Sequence, residues 1–193
     1  MRIVAGKHRG RAISAPADPL VRPTSDRVRE NLFNILSHGR LAAAHEPILE
    51  GAAVLDAFAG SGALGLEALS RGAAEAVFLD EDAKALACIR GNAEALGELA
   101  HATLVKADAR APPKRDKVRG HPGPRSLLFL DPPYRSGQGA EALAALASAG
   151  WLAAGALAVL ELAAREDLAL PPGFALLDER RYGHTRLLFL RWS

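Results

Sequence analysis

The sequence predicts an α/β chain: a mostly parallel sheet of seven strands with helices on both faces and a C-terminal antiparallel hairpin. Three observations predict it. Short apolar runs alternate with amphipathic segments between residues 51 and 163. Asp56, Asp80, Asp108 and Asp131 each fall at or near the end of one of those runs. The closing "FALLDERRYGHTRLLFLRW" reads as two strands about a tight turn near Gly183.

Taken in order, residues 1–22 read as short extended pieces around "GKHRG". Thr24 is placed to cap a helix with Asp26 in its first turn. Val28, Leu32, Ile35 and Leu36 then recur at helical spacing. A looser segment runs to Gly51, so residues 1–50 are expected to form a basic extension and helix packed on a domain of residues 51–193. "AAVLDAF" (52–58) is a strand, "ALGLEALSRG" (63–72) a helix ended by Gly72, and "EAVFLD" (75–80) a strand. Residues 82–96 form a helix with Leu86, Ile89, Ala93 and Leu96 on one face. "ATLVKAD" (102–108) is a strand, and a basic, proline-bearing link follows that is expected to be mobile. "SLLFLD" (126–131), the helix "GAEALAALASAG" (139–150) and the strand "GALAVLELA" (155–163) complete the alternation.

Composition narrows the class. No apolar run approaches the roughly 20 residues that cross a bilayer. The basic start "MRIVAGKHRGR" lacks the apolar core of a signal peptide. The one cysteine, Cys88, excludes an intramolecular disulfide and suits a reducing cytoplasm; it lies in a helical pattern, as a small hydrophobe would. The six histidines have no ligand spacing, so no metal is expected. Trp151 and Trp192 read as packing residues.

The net charge of +2 is unevenly spread. Residues 1–40 hold eight Lys/Arg against three Asp/Glu, and residues 106–125 hold seven against two. Two basic segments on an acidic body fit either a polyanion-binding face or two solvated loops.

In parallel sheets ligands bind beyond the carboxyl ends of the strands, so the strand-end acids mark the site. "VLDAFAGSGALG" (54–65) contains G-x-G-x-x-G at Gly60, Gly62 and Gly65. The first two glycines let the backbone turn beside a ligand, and the third permits close helix–strand packing. With Asp80 placed 20 residues after Gly60, a nicotinamide dinucleotide is one reading. Asp56 favours another, because the loop then offers a carboxylate to a ligand bearing an ammonium group. Here the sequence resembles the class I S-adenosylmethionine-dependent methyltransferases, a Rossmann-like fold. The resemblance implies that Asp56, Phe58, Gly60 and Gly62 pass the methionine part, that Asp80 holds the ribose, and that Asp108 contacts the adenine.

"DPPY", Asp131-Pro132-Pro133-Tyr134, resembles the motif of methyltransferases that act on an exocyclic base amine. Such an amine is a poor nucleophile because its lone pair is delocalised into the ring. The Asp131 carboxylate and Pro132 carbonyl would accept its N–H bonds and aim the lone pair at the methyl donor. Pro132 and Pro133 contribute no competing N–H. Tyr134 would stack on the base, worth about 1–3 kcal/mol. A bare strand terminator is the plain alternative for these residues.

"RIVAGKHRGRAI", "RPTSDRVRENLFNIL", "LDAFAGSGALGLEALSRGA" and "DPPYRSG" follow in that order and together resemble the RsmD family of 16S rRNA guanine-N2 methyltransferases. The resemblance implies a monomer acting on 16S rRNA in the small ribosomal subunit or its assembly intermediate. No segment remains for a separate target-recognition domain, so specificity would come from the shape of a folded RNA. Arg2, Lys7, Arg9, Arg11, Arg22, Arg27 and Arg29 are the candidates for phosphate contact, with Arg27 and Arg29 foremost. The link at 106–125 is longer than the family's usual one, and Tyr134 stands where some relatives have Phe. Another base, such as adenine N6 of DNA, and a non-catalytic assembly factor remain alternatives at this level.

Overall fold

The computed structural model describes residues 1–16, 26–38, 41, 48–134 and 136–193. The expected helix cap at Thr24 and the candidate Arg22 lie outside those residues. In chain order the elements are α1 (Asp26–His38), β1 (Ala53–Ala57), α2 (Ala63–Ser70), β2 (Glu75–Asp80), α3 (Ala83–Leu96) and β3 (Ala102–Lys106). They continue with β4 (Arg125–Leu130), α4 (Gln138–Ser148), β5 (Leu152–Ala163), β6 (Phe174–Tyr182) and β7 (Thr185–Trp192).

The seven strands form one sheet in the order β3-β2-β1-β4-β5-β7-β6. β1 to β5 are mutually parallel, and β7 is antiparallel to both β5 and β6. The expected terminal hairpin therefore enters with its second strand against β5 and leaves β6 on the edge. The order reverses between β1 and β4, which opens a crevice at their carboxyl ends.

Strand alternation divides the core in two. Val54, Phe78, Leu127, Phe129, Val159, Leu187 and Phe189 face the layer that includes α1, α2 and α3. Leu55, Val77, Leu79, Leu128, Leu130, Leu160 and Leu188 face the layer that includes α4 and Trp151. The central strands β1, β2 and β4 are apolar on both faces, so each appears in sequence as a continuous run. β5 begins earlier than its sequence pattern because a bulge separates the Arg125–Leu152 pairing from the Leu127–Leu157 pairing.

No α-helix returns from β3 to β4. The basic link has a single 3-10 turn at Arg115–Lys117, and hydrogen bonds join it to the start of β5. Trp151 Nε1 donates to the Pro113 carbonyl at 3.0 Å, and Arg115 donates to the carbonyls of Gly150 at 2.9 Å and Pro122 at 2.6 Å. Arg125 is fully buried, with Nη1 2.8 Å from Glu75 Oε1. Two of this segment's seven Lys/Arg, Arg115 and Arg125, thus serve the fold at the end of the sheet opposite the strand-end acids.

The N-terminal residues form a small hairpin bridged at Arg2–Ala12. It lies along α2 and α3, with the Val4 and Ala5 amides on Glu67 at 2.7 and 2.9 Å and the Lys7 amide on the Ser70 carbonyl at 2.8 Å. Its Ile3 and Ile13 enter the core beside Leu32, Phe33 and Leu36 of α1.

Gly65 confirms close helix–strand packing: a Cβ there would stand 2.4 Å from Phe78 Cε1 on β2. Gly65→Ala is expected to cost about 1–3 kcal/mol through overpacking, read as a fall in melting temperature of several degrees. An unchanged melting temperature would show that the α2–β2 contact yields freely.

Candidate active site at the carboxyl ends of the strands

Four loops meet above the sheet. After β1 the chain leaves the strand at Phe58, whose φ of 57° is left-handed and costly for a residue with a Cβ. Gly60 and Gly62 follow with φ of 53° and 75°, a tight turn that ends on the first residues of α2. Gly60 N donates to Asp80 Oδ2 at 2.8 Å, so the end of β2 holds the glycine loop in place. The other Asp80 oxygen accepts from Asp82 N at 2.8 Å.

Asp56 is 2% exposed, and its Oδ2 accepts from Gly65 N at 2.9 Å. Burial pushes its carboxyl up to about 8; the Gly65 hydrogen bond opposes that shift and the nearby Asp80 charge adds to it. A buried carboxyl of this kind is ionised readily only beside a cation.

Phe58, Leu79, Asp80, Glu81, Ala107, Asp108 and Ala109 line a shallow cleft open to solvent. Its lining joins four apolar side chains to three carboxylates. Asp108 also binds Arg110, through its backbone amide at 2.8 Å and its guanidinium at 2.7 Å. The Arg110 hydrogen bonds hold the Asp108 carboxyl below the usual carboxylate range. Glu81 was not singled out from sequence; its position beside Asp80 was the available signal.

Asp131 follows β4 directly, and its amide lies 3.4 Å from the Ala57 carbonyl on β1. β1 and β4 pair as neighbours up to Ala57–Leu130, so Asp131 stands one strand away from Phe58 and the glycine loop. Pro132 is buried and Pro133 exposed, with the Pro133 carbonyl accepting from Ser136 Oγ at 2.6 Å. Tyr134 is 43% exposed, yet its hydroxyl donates to the buried Glu161 on β5 at 2.7 Å and lies 2.9 Å from Thr185 Oγ1 on β7. Burial and the Glu161 carboxylate push the phenol up, so it stays protonated. The ring is anchored at its hydroxyl and open on its face. Sequence reasoning missed Glu161 and Thr185, which only the β5–β7 pairing brings to Tyr134.

The arginines expected to hold phosphates are dispersed. Arg27 is exposed on α1. Arg9 and Arg11 are exposed on the hairpin, whose turn packs on Ser70 at the far end of α2. That is about one eight-residue helix, or about 12 Å, from the glycine loop. Arg11 also donates to the Ala95 carbonyl at 2.6 Å, and Lys7 meets Glu98 at 2.7 Å. Arg29 is a correction. It is fully buried and donates to the Arg2 carbonyl at 2.6 Å and Asp26 Oδ1 at 2.7 Å, with Glu67 beyond at 3.9 Å. A guanidinium enclosed in this way cannot reach a phosphate; it joins α1 to the hairpin and α2.

Among the described residues no group of three or more His, Cys, Asp or Glu is placed to hold a metal, and no helix is long and apolar enough to cross a membrane.

Comparison with known proteins places this geometry in context. The family described as "Conserved hypothetical protein 95" matches residues 1–191. The chain is 37% identical over 194 residues to Ribosomal RNA small subunit methyltransferase D of Escherichia coli K12, covering 96% of this chain and 86% of that protein. It is 39% identical over 140 residues to the Putative rRNA methyltransferase YlbH of Bacillus subtilis, covering 70% of this chain and 67% of that protein. Among solved structures, the putative methyltransferase yhhF from Escherichia coli superposes with a TM-score of 0.81 at 35% identity, covering 100% of this chain and 98% of that one.

Proposed function

Because the chain belongs to the RsmD family, described as "Conserved hypothetical protein 95", we propose that it is an S-adenosylmethionine-dependent rRNA methyltransferase that modifies the exocyclic N2 of a guanine in 16S rRNA. The observation that carries the reading is the placement of Asp131 and Pro132 one strand from the glycine loop. S-adenosylmethionine supplies an electrophilic methyl group carried on a sulfonium. Asp56 would face its ammonium, Gly60 and Gly62 would give its methionine part close approach, and Phe58, Asp80, Glu81 and Asp108 would hold its adenosine. The Asp131 carboxylate and Pro132 carbonyl accept the two N–H bonds of the guanine amine and turn its lone pair out of the ring plane. As the N–CH3 bond forms and the sulfonium S–CH3 bond breaks, the Asp131 carboxylate would face the positive charge that develops on nitrogen; the nitrogen then gives a proton to solvent and S-adenosylhomocysteine leaves. The anchored ring of Tyr134 stacks on the extruded base, and orientation accounts for most of the acceleration. The substrate is 16S rRNA within an assembled or assembling small subunit, and the protein acts as a cytoplasmic monomer. Arg9, Arg11 and Arg27 are the exposed cations of the described residues proposed to meet its backbone.

Methyl transfer to small subunits from a strain lacking the enzyme, followed by digestion to nucleosides, tests the reading. N2-methylguanosine is the expected product. Label in another nucleoside overturns the guanine assignment and keeps the chemistry; cofactor bound with no label in any subunit overturns the substrate.

The Asp56 carboxyl yields a pH prediction. Between its ordinary value near 3.8 and about 8, the folded protein keeps a proton that the unfolded chain has released. Stability from the neutral form is therefore full below about 4 and declines as pH rises toward 8. Asp56→Asn is expected to remove that decline and to weaken S-adenosylhomocysteine binding by about tenfold or more. Melting curves from pH 5 to 9 with parallel calorimetry read both effects. A pH profile identical to that of the parent protein would show that Asp56 does not titrate in this window.

A further inference from the structure

The N-terminal hairpin, assigned from sequence to RNA, touches the glycine loop. Asn92 on α3 is 4% exposed, and its carboxamide is fully engaged. Oδ1 accepts from Ser14 N at 2.8 Å, while Nδ2 donates to the Ser14 carbonyl at 2.9 Å and the Ser61 carbonyl at 3.0 Å. This amide orientation puts both donors on carbonyls and the acceptor on an N–H. Ser61 is the middle residue of Gly60-Ser61-Gly62, and its hydroxyl lies 3.3 Å from Met1 Sδ at the other end of the hairpin. Both ends of the hairpin thus converge on one residue of the loop. One turn earlier on α3, Ile89 closes the space beside Gly62, where a Cβ would stand 3.1 Å from its side chain.

We propose that Asn92 is a positioning residue for cofactor binding: it fastens the N-terminal hairpin to the Ser61 carbonyl and so fixes the Gly60–Gly62 turn that passes the methionine part. This rests on the reading of the loop as a cofactor site. The β2 side of the turn is held by Asp80 on Gly60 N and by the Leu79 carbonyl on Ala59 N, and the Gly62 carbonyl accepts from Leu66 N at the start of α2. Between these anchors stands the Ser61 peptide, and Asn92 supplies the hold on its carbonyl. The hairpin is in turn gripped along its length by Glu67 and Ser70 of α2, the helix that begins where the loop ends. Loop, helix and hairpin form one unit, and Asn92 is the point where the hairpin meets the ligand-bearing turn.

The test compares Asn92→Asp and Asn92→Ala with Cys88→Ala. Asp is nearly isosteric and keeps the acceptor for Ser14 N, but it loses both donors and sets a carboxylate against two carbonyls. Cys88 lies on the same helix, reaches the Ser14 carbonyl at 3.4 Å and accepts weakly from Asn92 Nδ2 at 3.7 Å; its thiol has no bond to Ser61. S-adenosylhomocysteine affinity is measured by calorimetry well below each melting temperature, with the KM for S-adenosylmethionine and for small subunits measured separately. Both Asn92 variants are expected to weaken cofactor affinity by about tenfold and to raise the KM for S-adenosylmethionine alike, with the KM for subunits unchanged. Cys88→Ala is expected to bind as the parent does. A lowered melting temperature with cofactor affinity unchanged in Asn92→Asp overturns the proposal and leaves Asn92 a structural residue. Failure of the unmutated protein to bind S-adenosylhomocysteine overturns instead the cofactor reading on which the proposal rests.

Discussion

Asp131→Ala is expected to lower the rate of methyl transfer by about 10²–10⁴-fold while leaving S-adenosylhomocysteine affinity within about threefold of the parent value. The asymmetry follows from position. Asp131 lies after β4, and the cleft proposed to take the nucleoside lies after β2 and β3 on the other side of β1. On the proposed mechanism, removing the carboxylate takes away the acceptor that turns the guanine amine out of its ring and the charge that stabilises the cationic nitrogen as it forms. The cofactor site loses nothing. Asp131→Asn separates these contributions, because it keeps an acceptor oxygen and removes the charge; its rate should fall between the two. Single-turnover transfer with bound labelled cofactor reads the chemical step directly. A rate within tenfold of the parent for Asp131→Ala would place the amine elsewhere and return the tetrapeptide to a strand terminator.

The second large effect concerns stability. Glu67 is fully buried in α2 and accepts from Val4 N, Ala5 N and Arg71 Nε at 2.7, 2.9 and 2.7 Å, with Arg29 Nε at 3.9 Å. Glu67→Ala leaves two backbone amides and two guanidinium groups without their common anion. Breaking one side of a buried ion pair costs about 3–5 kcal/mol, which corresponds to a fall of roughly 10 °C in melting temperature for a chain of this length. The damage should be directional: amide exchange at Val4 and Ala5 should accelerate more than exchange in β1 or β4, because the hairpin loses its grip before the sheet does. Glu67→Gln, which keeps one acceptor oxygen, should cost less. A melting temperature within about 2 °C of the parent for Glu67→Ala would show that Arg29 and Arg71 find other partners.

Glu67 also marks a limit of sequence reading. In "ALGLEALSRG" it looked like one polar position in a short helix, and Arg29 in "SDRVREN" looked like an exposed cation on an amphipathic one. Each is a charge at helical spacing, and such spacing does not reveal whether another segment covers that face. The N-terminal hairpin covers it, and a lone basic stretch gives no hint of where it will dock. Arg125 misled in the same way, counted toward a polyanion face yet buried against Glu75. Other features were legible because their cause is local. Strands buried on both faces require continuous apolar runs, so β1, β2 and β4 were placed to within a residue. Gly60 and Gly62 adopt backbone angles that other residues resist, so the turn announced itself.

The sequence by itself thus determined the alternation of elements, the glycine turn, the acids at the strand ends and the Asp-Pro-Pro-Tyr tetrapeptide, since each is specified by backbone geometry or burial within a few consecutive residues. Tertiary structure decided which charges are interior and which residues hold the site in place: Glu67 and Arg29 in the core, Glu161 and Thr185 on the Tyr134 hydroxyl, Asn92 on Ser61. Those contacts join residues 27 to 51 positions apart, across strands or helices that become neighbours only when the sheet closes in its particular order. A hydrogen bond across such a distance in the chain leaves no periodic trace in it.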